Sequence, residues 1–290
     1  MTRIGVQLHT FRNIDEDLPT VLHRTAEHGF EGVEFAHRFH NSNPRKIADA
    51  LAETGLEPIG AHVGLAHLER EFTSLVDQYT TIGCSSLVIP HLAAINFISF
   101  DRIDRLAERL ADLADRLASH GFELVIHNTK AMHHPVICQY MSDYLVESDV
   151  LPTGGWTYLS SWLNHLIPGD VLGTTGFEYL LEATEATGIS FEIDVEHAVG
   201  VGEDPLHLFE MVGDRLFATH LCDGERTRRF PPAYRSTTLG DGYIDLDREV
   251  RSSVDQGIDW LIVEADEHPQ PQHAFQSLFE TVDASYRRVA

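Results

Sequence analysis

Eight short apolar runs recur along the chain, and most neighbouring pairs are separated by an amphipathic helical pattern. The runs occupy residues 4–8, 32–35, 58–62, 86–90, 123–127, 190–195, 216–221 and 260–264. Their shortness and β-branched content mark strands. The clearest helix spans 102–119, with Ile103, Leu106, Leu110, Leu113 and Leu117 on one stripe. Its wet face carries the i,i+4 pairs Asp101/Arg105 and Asp112/Arg116. Asp101 is placed to cap this helix and Gly121 to end it. Further helices are expected over 18–27, around Phe72, Leu75, Val76 and Tyr79, and near 177–186, 205–212, 246–256 and 272–288. Strands alternating with helices require a parallel sheet with right-handed crossovers. Eight such units in one chain predict an α/β fold, a single (β/α)8 TIM barrel over residues 1–290. No Gly-x-Gly-x-x-Gly follows the first strand, which removes the main reason to prefer an open doubly wound sheet.

Two links depart from the rhythm. The fifth-to-sixth interval is roughly twice the others, beyond a usual crossover. The excess, about 130–175, lies between strand 5 and helix 5 and holds Trp156, Tyr158, Trp162, Gly154-Gly155 and Pro168-Gly169. It reads as a lid over the strand ends or an oligomer contact. The seventh-to-eighth link carries Arg226, Arg228, Arg229 and Arg235. These fit either bidentate binding of a phosphate or carboxylate, or surface ion pairing.

Charge narrows the setting. The chain has 45 acidic residues against 21 basic ones, a formal net charge of -24, and its only lysines are Lys46 and Lys130. Acid excess with so little lysine suits a protein kept soluble in concentrated salt, where self-repulsion is screened. A halophilic origin is therefore expected, and general affinity for nucleic acid is not. No apolar run is long enough for a membrane span and no leader pattern opens the chain. Cys84, Cys138 and Cys222 are too scattered for a disulfide framework or zinc cluster. A cytoplasmic setting follows as the expectation.

The chemistry sits where the apolar runs end. His9 follows strand one; Glu34 and His37 mark strand two, His62 strand three, His91 strand four and His127-Asn128 strand five. Glu192, Asp194 and His197 mark strand six, His220 and Asp223 strand seven, and Glu264, Asp266 and His268 strand eight. In a barrel these ends converge on one face, where active sites sit. A lone histidine there is usually a packed rim residue; eight strands sharing the habit is hard to explain by packing. Imidazoles and carboxylates around one axis point to a divalent metal site, because buried ionisable groups are costly unless paired or metal-bound. Asp194 and Glu264 lie within apolar strands and rank first as ligands, followed by His220 and His127. His23, His28, His120, His165, His207 and His273, on helices or loops, read as solvated. Neither a Gly-x-Ser-x-Gly elbow nor a Gly-x-x-x-x-Gly-Lys phosphate loop is present.

These residues resemble the xylose-isomerase-like barrel superfamily, the sugar phosphate isomerase/epimerase group, over nearly the whole length apart from 130–175. The matching pieces are Ile4-Gly5-Val6-Gln7-Leu8 with Thr10-Phe11-Arg12, Gly29-Phe30-Glu31-Gly32-Val33-Glu34, His127-Asn128, Asp194-Val195-Glu196-His197 and His220-Leu221-Cys222-Asp223. They continue with Leu239-Gly240-Asp241-Gly242, Ile244-Asp245 and Ile262-Val263-Glu264. The resemblance implies one divalent ion (manganese, zinc, cobalt or magnesium) on His127, Asp194, His220 and Glu264. Epimerases of the group carry glutamate at the strand-five position, where this chain has His127. A three-zinc apurinic-site endonuclease branch shares some positions. It needs an Asp-x-His after strand seven, and this chain has none.

The resemblance implies an isomerase or epimerase of a sugar, sugar acid or keto-polyol, acting by proton abstraction beside a metal-bound carbonyl through an enediolate. Glu264, His127 and His197 are the expected catalytic groups. Glu34, His62, His91, Asp223 and Arg226 are expected to hold substrate. A dehydratase of inosose or dehydroshikimate type shares the early chemistry and is the alternative. A non-catalytic sugar-binding paralogue and a metal-dependent hydrolase come after it. The barrels of this group often form homodimers or homotetramers.

Overall fold

Each of the eight apolar runs forms a strand, and the eight pair in parallel into a closed barrel. A computed structural model describes residues 2–136, 173–229, 232–265 and 271–289. Most of the expected 130–175 insertion, with its lid or oligomer role, lies outside the described residues, as do Asp266 and His268. The strands are β1 (Arg3–Gln7), β2 (Gly32–Phe35), β3 (Glu57–His62), β4 (Ser86–Ile89), β5 (Glu123–His127), β6 (Ile189–Asp194) and β7 (Leu216–Leu221). The seventh-to-eighth link contains an antiparallel ribbon, β8 (Asp223–Arg229) with β9 (Pro232–Thr237). The barrel strand β10 (Trp260–Val263) then pairs with both β1 and β7 and closes the ring.

The helices follow their stripes. The helix Phe100–Ala118 buries Ile103, Leu106, Leu110, Leu113 and Leu117 against the sheet. Its N-cap position is Ser99; Asp101 sits in the first turn, where its charge favours the helix dipole without capping. A helix at Pro44–Thr54 has no counterpart among the expected ones. Asn43 caps it and Pro44 opens it. Among the described residues no helix is long and apolar enough to cross a membrane.

What positions the site is the filling of the barrel. Side chains alternate inward and outward along each strand. On β6, Phe191 and Ile193 join the main apolar core. Glu192 and Asp194, on the other face, join the polar clusters. Ile59, Ala218, Trp260 and Ile262 form a separate apolar cluster. A Cβ at Gly5 would collide with Ile59, and one at Gly32 with Trp260, so these two glycines make room for that cluster. The polar inward residues Gln7, Glu34, His62, Glu192 and His220 come at or near the carboxyl ends of their strands.

One buried carboxylate lies elsewhere, on the helix Leu246–Asp255. Glu249 is 2% exposed; Arg248 donates to its Oε1, and its Oε2 has no partner. Burial pushes its pKa up from 4.5 to about 7. The folded state therefore favours the protonated acid. The stability this confers is complete below pH 4.5 and lost as pH rises through about 7. Replacing Glu249 by glutamine should raise stability at pH 8 by on the order of 2 kcal/mol and leave it unchanged near pH 4. Thermal denaturation at both pH values checks this; an equal gain at both would show that ionisation is not the cause.

Candidate metal centre at the barrel mouth

Asp194 ends β6 and starts the short helix Val195–Val201, accepting the His197 N–H at Oδ1 (2.8 Å). That cap fixes the carboxylate and turns Oδ2 toward Cys222 and His127. Asn128, fully buried and the first residue past β5, clamps the same turn: its Oδ1 accepts the Asp194 N–H at 2.7 Å. The Asn128 carbonyl lies 3.0 Å from His197 Nδ1. A carbonyl only accepts, so His197 Nδ1 carries a hydrogen and donates to it, and Nε2 is left for other partners.

Around Asp194 the four expected ligands meet. His127, Asp194, His220 and Glu264 each offer one donor atom, all within 4.8 Å of one another. His127 Nε2 is 3.8 Å from Asp194 Oδ2. His220 Nδ1 is 2.9 Å from Glu264 Oε2. Cys222 donates its thiol to Asp194 Oδ2 at 3.3 Å. His127 is 4% exposed, yet neither ring nitrogen has a hydrogen-bond partner. Burial, with His220 nearby, drives its pKa down to about 3, so the ring is neutral with a lone pair to offer. Burial opposes ionisation of Asp194 and Glu264, but the surrounding histidines overcome it and hold both acids below the usual carboxylate range. Two carboxylates and two imidazoles, one of them an unsatisfied neutral ring, fit a divalent transition ion.

A second polar layer lies beneath. Glu34 Oε2 accepts from Gln7 Nε2 (2.5 Å) and from His220 Nε2 (2.9 Å), and lies 3.0 Å from His62 Nε2. Glu192 Oε2 lies 3.3 Å from His62 Nε2. Glu34 and Glu192 are both fully buried. Burial opposes a charge on His62, but Glu34 and Glu192 outweigh it and raise its pKa to about 10.

A cavity of about 460 Å³ opens above the upper group, and His62, His127, Asp194, His197, Asp223 and Glu264 line part of it. Glu34 lies below its floor, engaged by three donors. His91 is exposed and does not line it. Arg226 lies on β8, with its side chain outside the described residues. Asp223 lines the cavity, but its oxygens serve the following loop. Oδ1 accepts from Gly224 and Ile244, and Oδ2 from Gly240 and Gly242, at 2.8–3.1 Å. Gly242 sits so close to Asp223 and the Gly224 carbonyl that a Cβ would collide with both. The strand-end pattern does not single out Glu196. It is buried at the cavity wall and accepts from Lys130 Nζ (2.9 Å) and the Tyr243 hydroxyl (3.0 Å). The only sequence signal for it is its place between Asp194 and His197.

No protein-family model matches the chain. Inosose dehydratase of Lacticaseibacillus casei is 26% identical over 189 residues, 61% of this chain and 51% of that protein. The match thus spans about half the length of the curated relatives. A sugar phosphate isomerase/epimerase from Parabacteroides distasonis superposes with a TM-score of 0.72 at 17% identity, covering 99% of this chain and 94% of the other. The IOLI protein, solved with a zinc atom bound, gives 0.69 at 16% identity over 99% and 98%. At such identity these likenesses establish the barrel fold.

Replacing Asp223 by alanine should strip the acceptor from four amides. A buried donor left unmet costs about 1–3 kcal/mol. The loop should open before the barrel does, with amide exchange at Gly240, Gly242 and Ile244 accelerated about tenfold or more. The exchange of β7 and β10 should be unchanged. Unaltered exchange in the loop would show that Asp223 does not hold it.

Proposed function

We propose that the chain is a divalent-metal-dependent enzyme that removes a proton beside the carbonyl of a small sugar or keto-polyol. The observation that carries this reading is the unsatisfied neutral His127, set with Asp194, His220 and Glu264 at the cavity floor. An ion on these four residues would supply Lewis acidity, stabilising negative charge on a substrate oxygen as the neighbouring C–H proton leaves. Glu264 is the base in this account. Its carboxylate is ionised, held by His220, and faces the cavity. Asn128 fixes the tautomer of His197, leaving Nε2 to exchange a proton with a hydroxyl. Asp194, locked by its cap and by Asn128, keeps one oxygen oriented for the ion.

Dehydration is the outcome we favour. Epimerisation by two opposed carboxylates needs a second acid/base across the substrate carbon, and His127 stands where the related epimerases carry that glutamate. With its lone pair given to an ion, His127 could not take up and return that proton. Loss of a β-hydroxyl needs one base and one proton donor, for which Glu264 and His197 suffice. The relatedness to inosose dehydratase, though partial, supports the same choice. Isomerisation is the second reading, supported by the likeness to the Parabacteroides protein. The acidic composition and the missing Asp-x-His motif argue against a nuclease.

The test is solvent deuterium exchange with the manganese-, cobalt- or zinc-loaded protein on inososes, dehydroshikimate and ketoses. One deuterium should enter beside the carbonyl or an unsaturated product should form. Glu264→Gln should lower the rate by about 10²–10⁴-fold. Absence of both exchange and product across the panel would overturn the proposal. Exchange with a retained hydroxyl would move isomerisation to the front.

A further inference from the structure

The buried layer beneath the catalytic group has its own donor set. Glu34, His62, Glu192 and His220 each place one donor atom within 4.8 Å of the others. This set shares only His220 with the upper one, and through the other ring nitrogen. His220 Nδ1 faces Glu264 and Nε2 faces Glu34.

Charge is the first argument. Four carboxylates are gathered here: Glu34 and Glu192 with no exposed side-chain surface, Asp194 at 6% and Glu264 at 14%. One divalent ion on the upper group would offset Asp194 and Glu264. A second divalent ion below would offset Glu34 and Glu192, which sit together without exposed side-chain surface.

Geometry is the second argument. His62 Nε2 stands 3.0 Å from Glu34 Oε2 and 3.3 Å from Glu192 Oε2. A tetrahedral ion with bonds of about 2.0–2.1 Å separates its ligands by about 3.3 Å. The cage is already near that size. Glu34 Oε1 is a buried oxygen without a hydrogen-bond partner, open to an ion while Oε2 accepts from Gln7 and His220; Glu192 Oε1 lies 3.2 Å from His220 Nε2. Gln7 Nε2 bonds Glu34 and orients it, the outer-sphere support such ligands need. His62, 13% exposed at its side chain, lines the cavity and is the point of entry.

We infer that the barrel holds a second divalent cation on Glu34, His62 and Glu192, beneath the proposed catalytic ion, with His220 Nε2–H kept on Glu34 between them. Entry of this ion releases to solvent the proton on His62 Nε2. Its role is structural and electrostatic: it sets the charge beneath His220. The inference rests on the catalytic-ion reading only for the charge count, and one experiment separates the two.

The whole chain is stripped with chelator and dialysed against zinc, then manganese or cobalt. Bound metal is counted by mass spectrometry for the wild type, Glu192→Gln and Asp194→Ala, with circular dichroism confirming the fold of each. We expect two ions per chain in the wild type and one in each variant. One ion in the wild type, lost with Asp194→Ala and kept with Glu192→Gln, would overturn the deep site and leave the catalytic reading standing. One ion lost only with Glu192→Gln would support the deep site and overturn the catalytic one. No ion at all would overturn both. Should Glu192→Gln fail to fold, Glu34→Gln is read in the same way.

Discussion

The ion-paired arrangement around His220 is the constraint on which the rest of the mouth depends. Both ring nitrogens lie 2.9 Å from carboxylate oxygens, on Glu264 above and Glu34 below. An isolated carboxylate in an apolar interior is prohibitively costly against a total folding stability of about 5–15 kcal/mol. The barrel can hold four of them because the imidazoles of His62 on β3, His220 on β7 and the neighbouring His197 stand among them. The apolar cluster of Ile59, Ala218, Trp260 and Ile262 gives the interior a dry part, admitted by Gly5 and Gly32.

Positioning comes from the backbone as much as from charge. Asp194 is at once the last residue of β6 and the cap of the next helix, so its carboxylate direction is set by a helix start. Asn128 ties the end of β5 to that same residue and to the neighbouring His197. Asp223, on the cavity wall, holds a glycine-rich loop through four amides. The proposed chemistry needs little more than this: one ionised glutamate facing the cavity, one histidine of fixed tautomer and a rigid ligand set.

Much of this was legible in the residues. Strand positions were readable because a parallel barrel strand is a short apolar run, and Asp194 and Glu264 stood out as carboxylates inside such runs. Proximity was less readable. Glu34 and His62 look alike as strand-end polar residues, but one lies below the floor and the other lines the cavity. That depth depends on strand stagger, which spacing does not encode. Asp223 reads as a strand-end ligand; its use by the loop depends on how the β8–β9 ribbon returns the chain. The helix Val195–Val201 was missed because seven residues carry too little periodicity, though Asp194 and His197 at a capping interval marked its start. Glu192 had no readable role, because the pattern shows only that it faces inward, not that it meets His62 and His220.

The account stands on an ion held at His127, and anomalous X-ray scattering tests that most directly. Crystals of the whole chain grown with zinc or manganese would be measured on both sides of the metal edge. The account predicts an anomalous peak at bonding distance from a ring nitrogen of His127, His220 Nδ1 and the Asp194 and Glu264 carboxylates. No peak among these four residues, with the His127 nitrogens still unpartnered, would contradict it.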